Sequence, residues 1–102
     1  MSLAIYKFTS SFPESERFGL TNQLRRAAVS VASNIAEGYG RSTRGEYIQF
    51  LGHARGSICE IQTQIVIATE LHFGEPKAGK AAEQLTNEVS RMLVALMNKL
   101  KK

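Results

Sequence analysis

Serine, histidine and glutamate, the side chains of hydrolytic catalysis, recur along one stretch of the sequence that has helical periodicity. His53, Ser57 and Glu60 follow one another at spacings of four and three residues, so they share one helix flank. A serine–histidine–carboxylate relay also needs a nucleophile on a sharp turn and backbone donors for the oxyanion. Neither feature accompanies these residues, so the pattern favours a polar network, and we expect no enzymatic activity.

A second polar flank precedes the first in the sequence and has the same periodicity. It consists of Arg26, Ser30, Ser33 and Glu37. If the two flanks meet, Arg26 is placed to pair with Glu60, and Asn34 is placed to hydrogen-bond across the helices. Such networks fix the register of packed helices. The predicted internal polar network consists of Asn34, Glu37, Glu46 and Glu60.

Residue spacing argues against metal and nucleotide-loop chemistry. His53 and His72 are far apart, and the E-x-x-H pairs that build di-metal sites in helical bundles are absent. Cys59 is the single cysteine, so neither an intramolecular disulfide nor a thiolate metal cluster can form. Glycine-rich phosphate loops are also missing. We therefore predict no metal and no cofactor.

Arginine is concentrated in the first half of the chain, which has a net charge of +4 overall. Residues 17–55 contain six arginines against two glutamates, whereas residues 56–98 contain five glutamates against three cations. Guanidinium groups suit bidentate contacts to phosphate. This pattern favours RNA or DNA as a partner, although the same arginines could instead pair with glutamates within or between subunits. The predicted nucleic-acid contacts are Arg25, Arg26, Arg41 and Arg44.

The periodicity of apolar residues predicts an all-α fold of four helices with a short first helix. The predicted helices cover about residues 3–12, 16 or 21 to 39, 43–72 and 77–100. The third has the clearest apolar stripe, from Tyr47 through Leu51 to Ala68, and Thr43 with Glu46 forms a capping box at its start. Short connections between helices predict an antiparallel up-down-up-down four-helix bundle.

A second apolar stripe lies on the second helix, away from the predicted core face, and a weaker one lies on the third. Surplus apolar surface of this kind is typical of a helix that is buried on two sides. We therefore predict homo-oligomerisation through the second and third helices. The predicted interface residues are Val29, Ala32, Ala36, Ile48 and Val66.

The 102 residues fit one domain, residues 1–102. Signal-peptide features are lacking near Met1, and no apolar run approaches the length of a membrane span. These features predict a cytoplasmic protein without a membrane partner.

A distinctive pattern links these observations to a known family. Residues 18–38 read FGLTNQLRRAAVSVASNIAEG, and they are followed by Arg41, Glu46, the Phe50–Leu51 pair, Gly56–Ser57 and Glu60. The sequence resembles the 23S rRNA intervening-sequence proteins, also called four helix bundle proteins, from about Ile5 to the end. It is also similar to the accessory variability determinant of diversity-generating retroelements.

The resemblance implies a bacterial, cytoplasmic, up-down-up-down bundle that assembles as a homopentamer. The family name refers to genes within insertions of 23S rRNA genes and does not establish an activity. The similar retroelement protein binds nucleic acid and a reverse transcriptase, which implies a contact role for the arginines named above. The leading hypothesis is an oligomeric bundle that binds RNA or DNA. The alternative is a structural adaptor whose arginines serve subunit contacts and whose partner is another protein.

Overall fold

The computed structural model describes residues 1–101, and this part of the chain folds into an all-α bundle. Its four α-helices are α1 (Ser2–Thr9), α2 (Leu20–Tyr39), α3 (Arg44–Glu70) and α4 (Pro76–Leu100). A single 3-10 turn over Glu14–Glu16 joins α1 to α2. The sequence prediction of four helices with a short first helix is confirmed.

Side-chain pairs between helices show that neighbours run antiparallel. Ser30 on α2 meets Ser57 on α3, while Gln23, seven residues earlier, meets Gln64, seven residues later. On α4, Asn87 accepts a hydrogen bond from Gln62, while Met97, ten residues later, lies near Gly52, ten residues earlier. The helices α2, α3 and α4 therefore alternate in direction, as the short connections predict.

The core is formed mainly by one face of α3. Leu51, Ala54, Ile58 and Ile61 are each fully buried. They recur at alternating steps of three and four residues, so they stay on one side of the helix and pack between α2 and α4. Tyr47, at the start of the predicted stripe, is only partly buried because it lies near the end of the bundle.

The first helix ends earlier than its apolar pattern predicts. Phe12 lies beyond the end of α1, yet it is buried, with its ring centroid 4.9 Å from that of Phe8. The Ser10 hydroxyl donates to the Lys7 carbonyl, and Pro13 cannot continue a helix. Phe12 is therefore a core residue of the connecting segment. Its apolar side chain indicated that the residue is buried, but it did not indicate that the residue is helical.

The connection between α2 and α3 is shaped by a close approach and a cap. A Cβ on Gly38 would lie 2.8 Å from the Cβ of Phe50, so only glycine lets the two helices meet at this level. The Thr43 hydroxyl then accepts a hydrogen bond from the Glu46 backbone N–H at 3.1 Å, as the predicted capping box requires. Among residues 1–101, no helix is long and apolar enough to cross a membrane.

Candidate functional site

A polar cleft runs between α2 and α3 on the side of the pair that faces solvent. Two adjoining cavities form it, with volumes of about 310 Å³ and about 520 Å³. Both cavities are lined by Ser30, Ser57 and Glu60, so they are parts of one continuous depression. The two polar flanks found in the sequence thus lie side by side.

Hydrogen bonds between the helices form the floor of the cleft. The hydroxyl oxygens of Ser30 and Ser57 lie 2.9 Å apart. The Asn34 amide, one turn further along α2, donates to the Ser30 carbonyl at 2.8 Å and to the Ser30 hydroxyl at 3.1 Å. Asn34 therefore belongs to a polar network, but its partner is Ser30 on the same helix. The predicted hydrogen bond of Asn34 across the helices is wrong, since the hydroxyl of Ser30 makes that contact instead.

The end of the cleft nearest the start of α2 carries groups without matching partners. The Gln64 amide nitrogen donates to the Gln23 amide oxygen at 3.4 Å, while the Gln64 Oε1 is buried and has no hydrogen-bond partner within residues 1–101. Arg26 and Glu60 line the same cavity. In the described part of the chain no ion pair joins them, so a charged group stands on either side of an open space.

The other end of the cleft is aromatic and cationic. The rings of Phe50 and His53 meet edge to face with centroids 6.0 Å apart. The Arg41 guanidinium lies over the Phe50 ring, 4.7 Å from its centroid. The same guanidinium contacts Glu37 at 2.7 Å and Glu46 at 3.9 Å. These two predicted network glutamates therefore hold Arg41 at the α2–α3 connection and do not lie inside the bundle.

At Gly56 the α3 side of the cleft has no side chain. A glycine within a helix often marks a close helix–helix contact, but Gly56 makes none within the protomer. The residue is exposed, and an added Cβ would meet nothing within 4 Å. Glycine in a helix interior costs about 0.5–1 kcal/mol relative to alanine. Packing within the protomer does not compensate for that cost.

Arg25 and Arg26 are adjacent in the sequence and both border a cavity beside Tyr6, but only Arg26 also lines the cleft. The Arg25 Nε–H donates to the Thr9 hydroxyl at 2.8 Å, and its guanidinium lies 4.7 Å from the centroid of the Tyr6 ring. Arg25 therefore ties α2 to α1. Arg26 is turned about 100° around the helix and opens onto the cleft. Arg44 begins α3, close to Arg41.

The residues predicted to form an oligomer interface divide between surface and core. Val29 and Val66 are exposed to 50% and 56%, and Ala32 and Ala36 are also exposed. Ile48 is instead partly buried and packs against the core of its own protomer. The surplus apolar surface of α2 thus exists in the folded chain, and that of α3 consists of Val66 and the neighbouring Ile67, which is 45% exposed.

Catalytic groupings do not form among residues 1–101. The Ser57 hydroxyl is bonded to Ser30, and His53 contacts the Phe50 ring. His, Cys, Asp and Glu side chains do not gather there in groups of three or more that could hold a metal ion. The cleft combines charge, hydrogen-bonding groups and aromatic rings, which are the elements of a binding surface.

The sequence was compared with models of known protein families, and one family matches. The family model described as 23S rRNA-intervening sequence protein matches residues 1–95. The chain belongs to this family. A comparison with curated proteins gave no match.

A solved structure of another protein has a similar fold. It is a protein of unknown function from the S23 ribosomal protein family of Bacteroides thetaiotaomicron. It has 19% sequence identity and a TM-score of 0.81, and the match covers 94% of this chain and 87% of that one. At this level of identity the likeness shows the four-helix fold alone.

The sequence alone did not single out several residues of the cleft in this intervening-sequence protein. Phe50 was noted only within the family pattern, and Gln64 had no predicted role. The signal that connects them is their spacing from the serine pair along α3, since Phe50, His53, Ser57, Glu60 and Gln64 follow one another at steps of three or four residues. Helical periodicity places all five on one flank.

Proposed function

We propose that this protein is a non-catalytic, oligomeric binding protein that holds single-stranded RNA or DNA along the α2–α3 cleft. The contacts are mainly to phosphate, through Arg26, Arg41 and Arg44. Arg25, which the sequence grouped with them, holds α1 in place. A cytoplasmic location gives access to such a partner.

One observation carries the proposal: cations border both ends of a cleft that has hydroxyl groups in its middle and aromatic rings at one end. Arg26 borders one cavity, and Arg41 stacks on the Phe50 ring of the other. The two arginines are separated by about 20 Å along α2, from the rise of about 1.5 Å per residue. Proteins that bind single strands combine a basic track with aromatic rings on which bases stack.

Phosphate contacts make affinity depend steeply on salt, because each contact releases condensed counterions. The test measures the fluorescence anisotropy of a short, labelled single-stranded RNA across a salt series. Each phosphate contact removed lowers the slope of log K against log salt by about 0.7 for a single strand. We expect this reduction in Arg26→Gln.

The matched control is Arg91→Gln, which removes the same charge from an exposed position on α4. For this variant the slope of log K against log salt should equal that of the wild type, apart from a small effect of the changed net charge. Absence of binding at low salt, or equal slopes for the Arg26 and Arg91 variants, would refute the proposal.

A structural adaptor is the second candidate, and one surface favours it. Tyr6, Arg25 and Val29 line a shallow cavity of about 450 Å³ that joins α1 to the exposed side of α2. An exposed valine beside an ordered arginine and a tyrosine is a composition common in protein interfaces. On this view the arginines form contacts between copies of the chain, and the family resemblance suggests an assembly of five copies whose partner is another protein. Light scattering after size exclusion would then show loss of the oligomer in Arg25 and Arg26 variants.

A further inference from the structure

The first helix covers only one end of the space between α2 and α4. Within residues 1–101, α2 and α4 each pack against α1 and α3 but not against each other. Because α1 has 8 residues and α2 has 20, about 18 Å of α2 has no α1 beside it. This uncovered space, the α2–α4 groove, is bordered by Ala32, Ala36 and Tyr39 on α2 and by Met92, Leu96 and Lys99 on α4.

The direction of α1 places the groove beside the second half of α2. Thr9 shares a cavity with Thr21, whereas Tyr6 shares one with Val29, so α1 runs antiparallel to α2. Arg25 marks the side of α2 that faces α1, since its side chain contacts both Thr9 and Tyr6. Residues on that same side but later in α2 therefore face the position that α1 leaves open.

The α2 wall of the groove is apolar. Ala32, Ala36 and Tyr39 follow Arg25 at steps that return to the same side of a helix. The two alanines are exposed, and the Tyr39 side chain is 78% exposed. Glu37, the single acid of α2, lies on the other side of the helix, where it contacts Arg41.

The α4 wall is also apolar. Asn87 marks the side of α4 that faces α3, because it accepts a hydrogen bond from Gln62. Met92 lies about 140° around the helix from Asn87, so it is turned away from α3. Its side chain is 63% exposed, and Leu96, one turn later, packs partly buried against the core.

The end of the groove farthest from α1 is basic. Lys99 follows Met92 by seven residues, so it lies on the same side of α4, and Lys101 caps the helix. Both lysines are exposed, and neither forms an ion pair with another of the residues 1–101. Glu88 lies one turn before Met92, toward the end that α1 covers.

We infer that the α2–α4 groove binds a single amphipathic helix of another protein, with acidic residues in its first turn. The position between two helices that do not touch each other has the width of a helix, since α1 fills it at the other end. A helix that continues the direction of α1 starts beside Lys99 and Lys101 and ends near Met1. Acids in its first turn then meet these lysines and also complement its own dipole. Burial of one apolar helix face in a groove is a common mode of recognition. The inference does not rest on nucleic-acid binding, which uses the other side of α2.

The test measures the anisotropy of a fluorescein-labelled peptide of about 12 residues, the length that about 18 Å of helix requires. The peptide has leucine and alanine along one face and two glutamates in its first turn, and a matched peptide has two glutamines there. Wild-type protein should bind the glutamate peptide about two- to fivefold more tightly, as expected for exposed ion pairs. Lys99→Gln combined with Lys101→Gln should abolish this difference. Lys77→Gln combined with Lys80→Gln, at the opposite end of α4, is the control and should retain it.

Ala36→Glu tests the groove itself, because it places a charge on the apolar wall. Both peptides should then bind about tenfold more weakly or worse. Ala36 is exposed, so circular dichroism should show unchanged helix content. Thr63→Glu adds the same charge to an exposed position on α3 and should leave binding unchanged.

Three results would overturn the inference. The first is that wild-type protein binds neither peptide, or that Ala36→Glu and Thr63→Glu weaken binding equally. The second is a wild-type assembly, seen by light scattering, that Ala36→Glu alone dissociates, since the groove would then be covered by a second copy of the chain. The third is displacement of the peptide by oligouridine, which would place the nucleic acid in the groove. Failure of RNA binding with intact peptide binding would refute only the proposed function.

Discussion

The hydroxyl oxygens of Ser30 and Ser57 lie 2.9 Å apart and join α2 to α3 at the middle of the cleft. Asn34 supports the pair by donating to Ser30 from one turn away. This contact lies at the level where the two polar flanks face each other. Arg26 and the aromatic end of the cleft lie on opposite sides of it.

Ser57→Ala should destabilise the protein by about 1 kcal/mol, because it leaves the Ser30 hydroxyl with one partner fewer. A double-mutant cycle with Ser30→Ala should give a coupling energy of about 0.5–1.5 kcal/mol, which urea denaturation can measure. Ser33→Ala is the control, since Ser33 is exposed on the same helix. Additive effects of the two substitutions at Ser30 and Ser57 would show that the contact adds no stability.

Gly56→Ala and Gly38→Ala should change stability in opposite directions. Alanine at position 56 meets open space, so the variant should be about 0.5–1 kcal/mol more stable than the wild type. Alanine at position 38 would bring a Cβ to 2.8 Å from the Phe50 Cβ, and it should lower the melting temperature. A loss of stability in Gly56→Ala would instead indicate that Gly56 packs against another molecule.

Replacing Arg25 or Arg26 by glutamine should separate a structural role from a binding role. Arg25→Gln removes the Nε donor to Thr9 and the stacking on Tyr6, so it should cost about 1–2 kcal/mol of unfolding free energy. Arg26→Gln should leave stability unchanged and reduce the salt dependence of RNA binding. Thermal denaturation measures the first effect and the salt series the second. If Arg26→Gln lowers stability and Arg25→Gln reduces the salt dependence of binding, the roles given to the two arginines are wrong.

Glu37→Gln should strengthen nucleic-acid binding. The Glu37 carboxylate lies 2.7 Å from the Arg41 guanidinium and partly neutralises it. Removing that charge leaves Arg41 stacked on Phe50, and phosphate contacts become more favourable. Anisotropy titrations should show tighter binding and a steeper salt slope, whereas Glu88→Gln on the exposed side of α4 should change neither.

Val29→Glu tests whether copies of the chain cover the exposed stripe of α2. Val29 is half exposed within the protomer, so the substitution should leave the helix content and melting of an isolated protomer unchanged. A charge at the centre of an interface between copies is destabilising, so light scattering should show a smaller assembly. Gln84→Glu, at an exposed site on α4, is the control. An unchanged mass for the Val29 variant would place the interface elsewhere.

The four helices could be predicted from the sequence because helix formation and burial leave local signals. The alternating steps along α3 identify Leu51 and Ile58 as core residues, and Thr43 marks the start of the helix by its own capping contact. The prediction was less accurate at Phe12, since apolar character signals burial whether or not the residue is helical. The same local reasoning identified two polar flanks without determining which of their members meet.

The sequence by itself determined the helices, their buried faces and the excess of arginine in the first half of the chain. Only the tertiary structure decided that Arg25 holds α1 while Arg26 opens onto the cleft, and that Glu37 and Glu46 hold Arg41. It also decided that the Gln64 Oε1 is buried without a hydrogen-bond partner within residues 1–101. The physical reason is that periodicity assigns a residue to a side of its own helix, whereas its partners depend on the register and rotation that packing imposes on neighbouring helices.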